Sequence, residues 1–416
     1  MRTFSNGLLL LFLLSGCSKS GKSSTQTESD GLSNIIDLTS GLNNIQTIRL
    51  SEIADSVTFI PFETTPQSLQ GQGQKNLIKF SPSYIYYFGM CFDWTGKFYG
   101  AIIKRGQGPY EEIDSGDLLF VDNRFYSKGS KFIEYDMTGM PTGKVRNLYA
   151  ARESETNDFL RRGSGFSSVG ENFVVYNFPT TLYYFNRNFE TIASRVVFSA
   201  DSLPPHTSSI GDSKYITYYK EKVLFFNFLV NDTIFYVTDT GLNPIWVVNF
   251  DDRLRLLSQT IFLFPRDFIG QVARGDLSSA ESSEYAKQTD HKHKVIAAYE
   301  TDKYIFFQMT EIIQLAPLRG KQAPDPYIIY YDKVNGKTTR VNGKGFVDDI
   351  LGMDSFYPQL GIFDEKMITY IWPYELLSYI DECREKGRVV NPQLLALSKR
   401  LKEDDNPILI LFHLKK

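Results

Sequence analysis

The sequence predicts an all-β fold, a six-bladed β-propeller whose N-terminal strand closes the last blade. Three observations carry that prediction. A hairpin unit recurs along the chain, aromatic residues are abundant, and each end of the chain lacks the strand partner that the other end could supply. Of 416 residues, 42% are hydrophobic and 14% aromatic, which is ample for a large core. Flat rings favour a pleated surface over a helix.

The unit is a strand ending in an aromatic residue and Asp or Asn, then a turn, then another strand. It reads Phe92-Asp93-Trp94-Thr95-Gly96, Tyr135-Asp136-Met137-Thr138-Gly139 and Tyr184-Phe185-Asn186-Arg187-Asn188. It returns as Tyr236-Val237-Thr238-Asp239-Thr240-Gly241 and Tyr331-Asp332-Lys333-Val334-Asn335-Gly336. Each is a hairpin signal, because Asp, Asn and Gly tolerate the backbone angles a tight turn needs. The third copy lacks the turn glycine, and the fourth places Val237-Thr238 before its Asp.

Asp93, Asp136, Asn186 and Asp239 follow one another at steps of 43, 50 and 53 residues. Repeats of roughly 40 to 50 residues built from short strands are the mark of a propeller. The longer step to Asp332 leaves room for an insertion over 252–300, charged and Ser-rich from Gly275 to Lys294. A sixth unit ends on Ile408-Leu409-Ile410-Leu411-Phe412-His413 after a helical insertion over 374–403. There Leu376, Leu377, Ile380 and Cys383 recur at helical spacing, and Asn391-Pro392 opens a second helix.

The sixth unit stops after its third strand. Val57-Thr58-Phe59-Ile60-Pro61-Phe62-Glu63 is a strand without a partner in its own unit. Pairing the two closes the ring and removes both exposed edges. Pro61 is tolerated there because an outermost strand need not donate every N–H.

Arg2, the apolar run Gly7 to Leu14 and the small residues Ser15-Gly16 before Cys17 read as an export signal over 1–17. Residues 18–41 read as a flexible tether, Ser-, Gly- and Lys-rich at its start, and 42–416 as the propeller. Leu14-Ser15-Gly16-Cys17 resembles a bacterial lipobox, which implies that Cys17 carries lipid and anchors the chain in a membrane. Of the other cysteines, Cys91 lies in an apolar run and reads as a buried free thiol, and a Cys91–Cys383 disulfide stays open.

The lipobox, Leu50-Ser51-Glu52-Ile53-Ala54-Asp55-Ser56-Val57 running into Ile60-Pro61-Phe62-Glu63-Thr64, and Asp405-Asn406-Pro407 before the last strand together resemble the six-bladed propeller lipoproteins of Bacteroidota. Lys104-Arg105-Gly106-Gln107-Gly108-Pro109-Tyr110-Glu111 is also similar to the connector of NHL-type repeats. The resemblance implies an outer-membrane, lipid-anchored propeller and no assigned activity. In such hosts acidic residues after the lipidated Cys favour the outer surface. Ser18-Lys19-Ser20-Gly21-Lys22 has none, so the periplasm-facing leaflet is expected, with the cell surface as the alternative.

Formal net charge is −3 with no basic run, which argues against a nucleic-acid partner. Gly106-Gln107-Gly108-Pro109 lacks the Lys-Ser/Thr of a phosphate loop and reads as a tight connector. The four histidines offer one pair, His291 and His293, too few for a transition-metal site. Adjacent carboxylates such as Asp348-Asp349 read as turns, and no nucleophile elbow is present. No cofactor is expected.

Long connectors at 146–165, 199–213, 252–300 and 342–357 each join an outermost strand to the next innermost one, so all emerge on one face. Loops on a rigid scaffold are where binding resides. That face makes Arg105, Gln107, Tyr110, Glu111, Arg161, Arg162 and His206 candidate ligand contacts. The leading expectation is a non-catalytic binding module for a glycan, peptide or protein. The alternatives are a calcium-dependent hydrolase or lyase with its site in the central tunnel, and a structural part of an outer-membrane complex. Cys17→Ser should move the chain from the membrane to the soluble fraction; a variant that still sediments with membranes would remove the lipid anchor.

Overall fold

The computed structural model describes residues 34–69, 78–87, 89–102, 106–111, 117–121, 124–128, 131–136, 139–147, 165–177, 180–197, 214–228, 232–239, 241–250, 292–312 and 325–416. The N-terminal segment comprises β1 (Ile35–Asp37), α1 (Leu38–Asn43), β2 (Ile45–Gln46), α2 (Leu50–Ile53) and β3 (Ala54–Pro61). Asp37 starts α1 by accepting from the Ser40 N–H at 3.1 Å.

Six small sheets follow around a ring. Blade 1 contains β4 (Ile78–Phe80), β5 (Tyr84–Tyr87), β6 (Met90–Asp93) and β7 (Phe98–Ala101). Blade 2 contains β8 (Asp117–Val121), β9 (Arg124–Lys128), β10 (Lys131–Tyr135) and β11 (Pro141–Asn147). Blade 3 contains β12 (Gly165–Val169), β13 (Asn172–Asn177), β14 (Thr181–Phe185) and β15 (Thr191–Val196). Blade 4 is β16 (Ile216–Tyr219), β17 (Lys222–Phe226), β18 (Thr233–Val237) and β19 (Leu242–Asn249). Blade 5 is β20 (Lys292–Glu300), β21 (Tyr304–Ile312), β22 (Tyr327–Asp332) and β23 (Lys337–Val341). A short pair, β24 (Phe346–Val347) and β25 (Ser355–Phe356), precedes blade 6. Blade 6 is β26 (Gly361–Phe363), β27 (Lys366–Ile371), then helices α3 (Pro373–Glu385) and α4 (Pro392–Ser398), then β28 (Ile408–Leu414).

The repeated Asp or Asn ends the third strand of its blade and caps the turn that comes next. Asp93 accepts from the N–H groups of Thr95 and Lys97, Asn186 from Asn188 and Glu190, Asp332 from Val334 and Asn335, and Asp136 from Met140. This is the local reason for the sequence repeat: the side chain substitutes for a backbone acceptor at the sharpest point of the hairpin.

The ring closes as the sequence predicts. β3 pairs antiparallel with β28, from Ile408 opposite Pro61 to Leu414 opposite Ala54, and becomes the outer strand of blade 6. The N-terminal segment does more than this. β1 adds a parallel fifth strand to the edge of blade 4, and β2 does the same for blade 5. Residues 35–41, assigned by the sequence to the tether, therefore form β1 and the start of α1. Buried Ile36, Leu38 and Leu42 join the core between blades 4 and 5, so the segment has an apolar reason to be ordered.

Neighbouring blades enclose apolar clusters between them. Phe92, Ile60 and Leu409 fill the closing interface between blades 6 and 1. The helical insertion adds Leu376, Ile380, Cys383, Leu394 and Leu397 to the cluster between blades 5 and 6. Asn391 caps α4 through its side chain, which accepts from Gln393 N–H. Cys91 and Cys383 are both free and buried, and burial pushes the Cys91 thiol up to about 12.

One boundary differs from the sequence reading. Residues 292–300 belong to β20, the inner strand of blade 5, and not to the insertion over 252–300. The charges that disguised this strand are satisfied inside the fold. Buried Glu300 accepts from the Lys333 ammonium at 2.7 Å, and His293 meets the Tyr327 hydroxyl at 2.9 Å.

Two contacts lock the seam. Gly96 sits at φ +86°, and a Cβ there would lie 2.1 Å from the Pro61 carbonyl oxygen. Buried Asn406 donates its amide to Glu63 and Ser68 carbonyls at 3.0 and 2.9 Å, and its N–H to the Thr64 hydroxyl. Asn406→Ala orphans two carbonyls, so it should cost about 2–3 kcal/mol, read as a lower unfolding midpoint. Deleting 34–64 should give aggregated or protease-sensitive chain, whereas deleting 18–33 should leave melting unchanged. Equal melting of the two truncations would overturn the closure.

Candidate functional site

The interface between blades 2 and 3 differs from the closing one between blades 6 and 1. Where blades 6 and 1 meet, Trp94 stacks on Phe363 at 5.8 Å and its indole N–H donates to the Ser81 carbonyl. Where blades 4 and 5 meet, the Lys333 ammonium donates to the Thr301 carbonyl and lies 5.2 Å from the Tyr219 ring and 5.7 Å from that of Trp246. Arg187 holds the matching position in blade 3. It donates to the Gly170 carbonyl at 3.4 Å and lies 5.0 Å from the centre of the Phe173 ring. In front of Arg187 a cleft of about 400 Å³ remains open, lined by Arg124, Tyr126, Glu134, Thr142, Lys144 and Arg187.

The cleft arises from local sequence. Arg124 and Tyr126 alternate on β9, with Tyr126 directly opposite Glu134 of β10, so all three share one face. Between the pairs Ile133–Val145 and Tyr135–Pro141, β11 places Thr142, Gly143 and Lys144 opposite the single Glu134. Gly143 at φ +95° permits this bulge. The extra length brings both Thr142 and Lys144 to one carboxylate. At the corresponding strand pairs of blades 1 and 3 the ladder slips by one residue only.

Glu134 is the centre of the network, with its side chain 3% exposed. Oε1 accepts from the Thr142 hydroxyl at 2.8 Å and from Arg124 at 3.3 Å, and Oε2 accepts from Lys144 at 3.4 Å. The Tyr126 hydroxyl also binds Glu134, and Arg187 in turn interacts with Tyr126. Burial by itself would push the Glu134 carboxyl up, but Thr142, Tyr126 and Lys144 together hold it below the usual range. Burial first, then the Glu134 charge, push the Tyr126 hydroxyl up to about 12. Both groups therefore keep fixed protonation states at neutral pH, one ionised and one protonated. Arg124 and Lys144 remain 46% and 51% exposed where they line the cleft. The described lining thus combines Arg124, Lys144 and Arg187 with the Glu134 carboxylate and the Tyr126 and Thr142 hydroxyls.

The cleft lies on the face of the short turns, at the Tyr135 end of β10. Of the residues expected from sequence, Gln107, Tyr110 and Glu111 are described, and none of them lines the cleft. Gln107 and Tyr110 are exposed in the connector after β7. Glu111 closes that connector, its carboxylate accepting from Gly108 N–H at 2.9 Å while the Lys131 ammonium donates to its carbonyl at 2.9 Å. Cys17, Arg105, Arg161, Arg162 and His206 lie outside the described residues. The six cleft residues were not singled out from sequence. One signal was available: at the position two before the capping residue, the units carry Cys91, Glu134, Tyr184, Val237 and Tyr330, so only blade 2 places a charge there.

Just before β16, the Lys214 ammonium donates to the Tyr299 hydroxyl at 3.3 Å, and desolvation by burial holds it below the ordinary lysine value. Among the described residues no group of three or more His, Cys, Asp or Glu is placed to hold a metal ion. No described helix is long and apolar enough to cross a membrane.

Fold and cleft define a six-bladed propeller with a polar pocket between two blades. The chain belongs to the family described as domain of unknown function DUF4934, which matches residues 33–413. No curated protein matches. A Bacteroides fragilis protein designated as exported is similar in fold, with 16% identity, a TM-score of 0.60, and coverage of 92% of this chain and 100% of that one. BamB from Moraxella catarrhalis matches at 14% identity and a TM-score of 0.32, over 68% of this chain and 77% of BamB. A Myxococcus xanthus glutaminyl cyclase matches at 11% identity and a TM-score of 0.26, over 63% of this chain and 93% of that one. These last two likenesses are too weak to bear on function.

The folded state depresses the Glu134 pKa, so its network stabilises the protein above the unfolded carboxylate value of about 4.3. That contribution falls away as pH drops through the lower folded value. Glu134→Gln should melt well below wild type at pH 7, and the gap should narrow under acid. A pH-independent gap in melting temperature would show that the charge is not what holds the interface.

Proposed function

We propose that this chain is a lipid-anchored propeller of the cell envelope that binds its ligand without transforming it, in the cleft between blades 2 and 3. The observation that carries the reading is the cleft itself. It is an interblade gap in which hydrogen-bonding side chains stand where the closing interface places packed rings. A general acid or base has to exchange its proton near the working pH. Glu134 is held ionised by its partners and Tyr126 is held protonated, so the arrangement suits recognition better than proton transfer.

The export signal over 1–17, the Leu14-Ser15-Gly16-Cys17 lipobox and the likeness to an exported Bacteroides fragilis protein support an envelope location. The NHL-like connector after β7 and the residues after Cys17 add the finer reading, an outer-membrane protein in the periplasm-facing leaflet. Arg105, Gln107, Tyr110, Glu111, Arg161, Arg162 and His206 remain candidate contacts for a larger partner on the strength of the sequence. A thermal-shift screen of glycans and peptides against the full-length chain tests the binding reading. A ligand that raises the melting temperature and is recovered unchanged by mass spectrometry is expected. Recovery of a cleaved or rearranged product would replace it with an enzyme.

A further inference from the structure

Lys214, just before the inner strand of blade 4, takes no part in the cleft between blades 2 and 3. We infer that its ε-amine is a covalent attachment point for a small aldehyde or ketone, held as an imine with the Tyr299 hydroxyl beside the new bond. The inference stands apart from the cleft and from any ligand bound there.

The position of the amine is fixed by an irregularity in the neighbouring strand. β20 bulges between Val295 and Ala297, and the carbonyl of the intervening Ile296 accepts from the Lys214 N–H at 2.8 Å. The Lys214 Nζ lies 6.0 Å from the centre of the Tyr299 ring and donates to its hydroxyl at 3.3 Å. Gly361, at the start of β26, makes room for that hydroxyl, since a Cβ there would lie 2.3 Å from the Tyr299 oxygen. Among the described residues this hydroxyl is the one hydrogen-bond partner of the ammonium, and no carboxylate pairs with it.

A lysine adds to a carbonyl only as the free amine, and a carboxylate beside it would keep it charged. Lys214 retains access to solvent, yet the blades around it crowd it enough that desolvation holds its ammonium below the ordinary lysine value. Tyr218 on β16 shares both properties: it is 36% exposed, and desolvation pushes its hydroxyl up. Access to water combined with enclosure is what the wall of a central channel provides. A small molecule can reach such an amine, and a desolvated lysine is the kind that forms imines.

The step balances without a further co-reactant. The amine lone pair forms the C–N bond, the carbonyl π pair moves to oxygen, and one amine proton passes to that oxygen. The C–O bond then breaks, and the oxygen leaves as water with the second amine proton, which leaves the C=N bond. Burial pushes the Tyr299 hydroxyl up and outweighs the Lys79 charge that acts the other way, so Tyr299 stays protonated at neutral pH. Its oxygen accepts from Lys214, and its own proton is placed to bond the departing oxygen.

The test is reductive trapping on the full-length chain. The protein is incubated at neutral pH with glycolaldehyde and cyanoborohydride, which reduces an imine to a stable amine, and its lysine peptides are followed by mass spectrometry. Lys214 should be modified at least about tenfold faster than exposed Lys97, Lys399 and Lys402, the rate change that accompanies about 1.4 kcal/mol of activation free energy. That comparison lies within one chain and needs no variant. Lys214→Arg should abolish the fast phase of trapping. Tyr299→Phe keeps the ring and loses the hydroxyl, so trapping should slow at Lys214 while the exposed lysines react as before. Modification of Lys214 at the rate of the exposed lysines, or a fast phase that survives Lys214→Arg, overturns the attachment site. An unchanged Lys214 rate in Tyr299→Phe overturns the pairing of amine and hydroxyl.

Discussion

The antiparallel seam between β3 and β28 is the contact on which the propeller depends. Seven register pairs join the two ends of the chain, and without them blade 6 would present an open edge to solvent. The seam is reinforced where sequence places unusual residues. Gly96 lets the blade 1 turn approach the Pro61 carbonyl, and Asn406 satisfies backbone acceptors on the returning chain. β1 and β2 extend the same strategy to blades 4 and 5. One N-terminal segment therefore touches half of the ring, and separation of those three blades is opposed by covalent continuity through that segment.

Given a closed ring, each blade must bury its faces against two neighbours, and large rings do most of this. Phe132, Phe173 and Phe189 pack with centroids 4.2 to 6.1 Å apart between blades 2 and 3. At the end of that same interface the packing gives way to Glu134 and its cations. A buried carboxylate is costly to desolvate, and its partners recover that cost only while all are present. Such a network adds less net stability than apolar packing of equal volume. It holds Arg124 and Lys144 at the edge of a cleft, which is a reason for its presence that stability does not supply.

The repeat was legible in sequence because its cause is local. An Asp or Asn at the end of a strand accepts hydrogen bonds from N–H groups two to four residues on, so the same residue types recur at the same point of each unit. The closing strand was legible for a related reason: Val57 to Glu63 alternates and has no neighbour of its own. The helices between β27 and β28 announced themselves through apolar spacing and the Asn391-Pro392 cap. β20 was hidden because buried charges such as Glu300 look solvated until their partners on other strands are known.

The cleft belongs to the tertiary structure. Glu134 is one residue in an aromatic strand, Lys144 one in a polar hairpin, and Arg187 one in a turn of the next blade. Nothing in their spacing predicts convergence, because it depends on a bulge in β11 and on the angle between two sheets. Sequence alone determined the number of blades, their order and the strand that closes them, since each rests on hydrogen bonds or hydrophobic alternation within a few residues. That the gap between blades 2 and 3 holds a polar cleft was decided only when distant strands met, because electrostatic complementarity between blades is a property of the space they enclose.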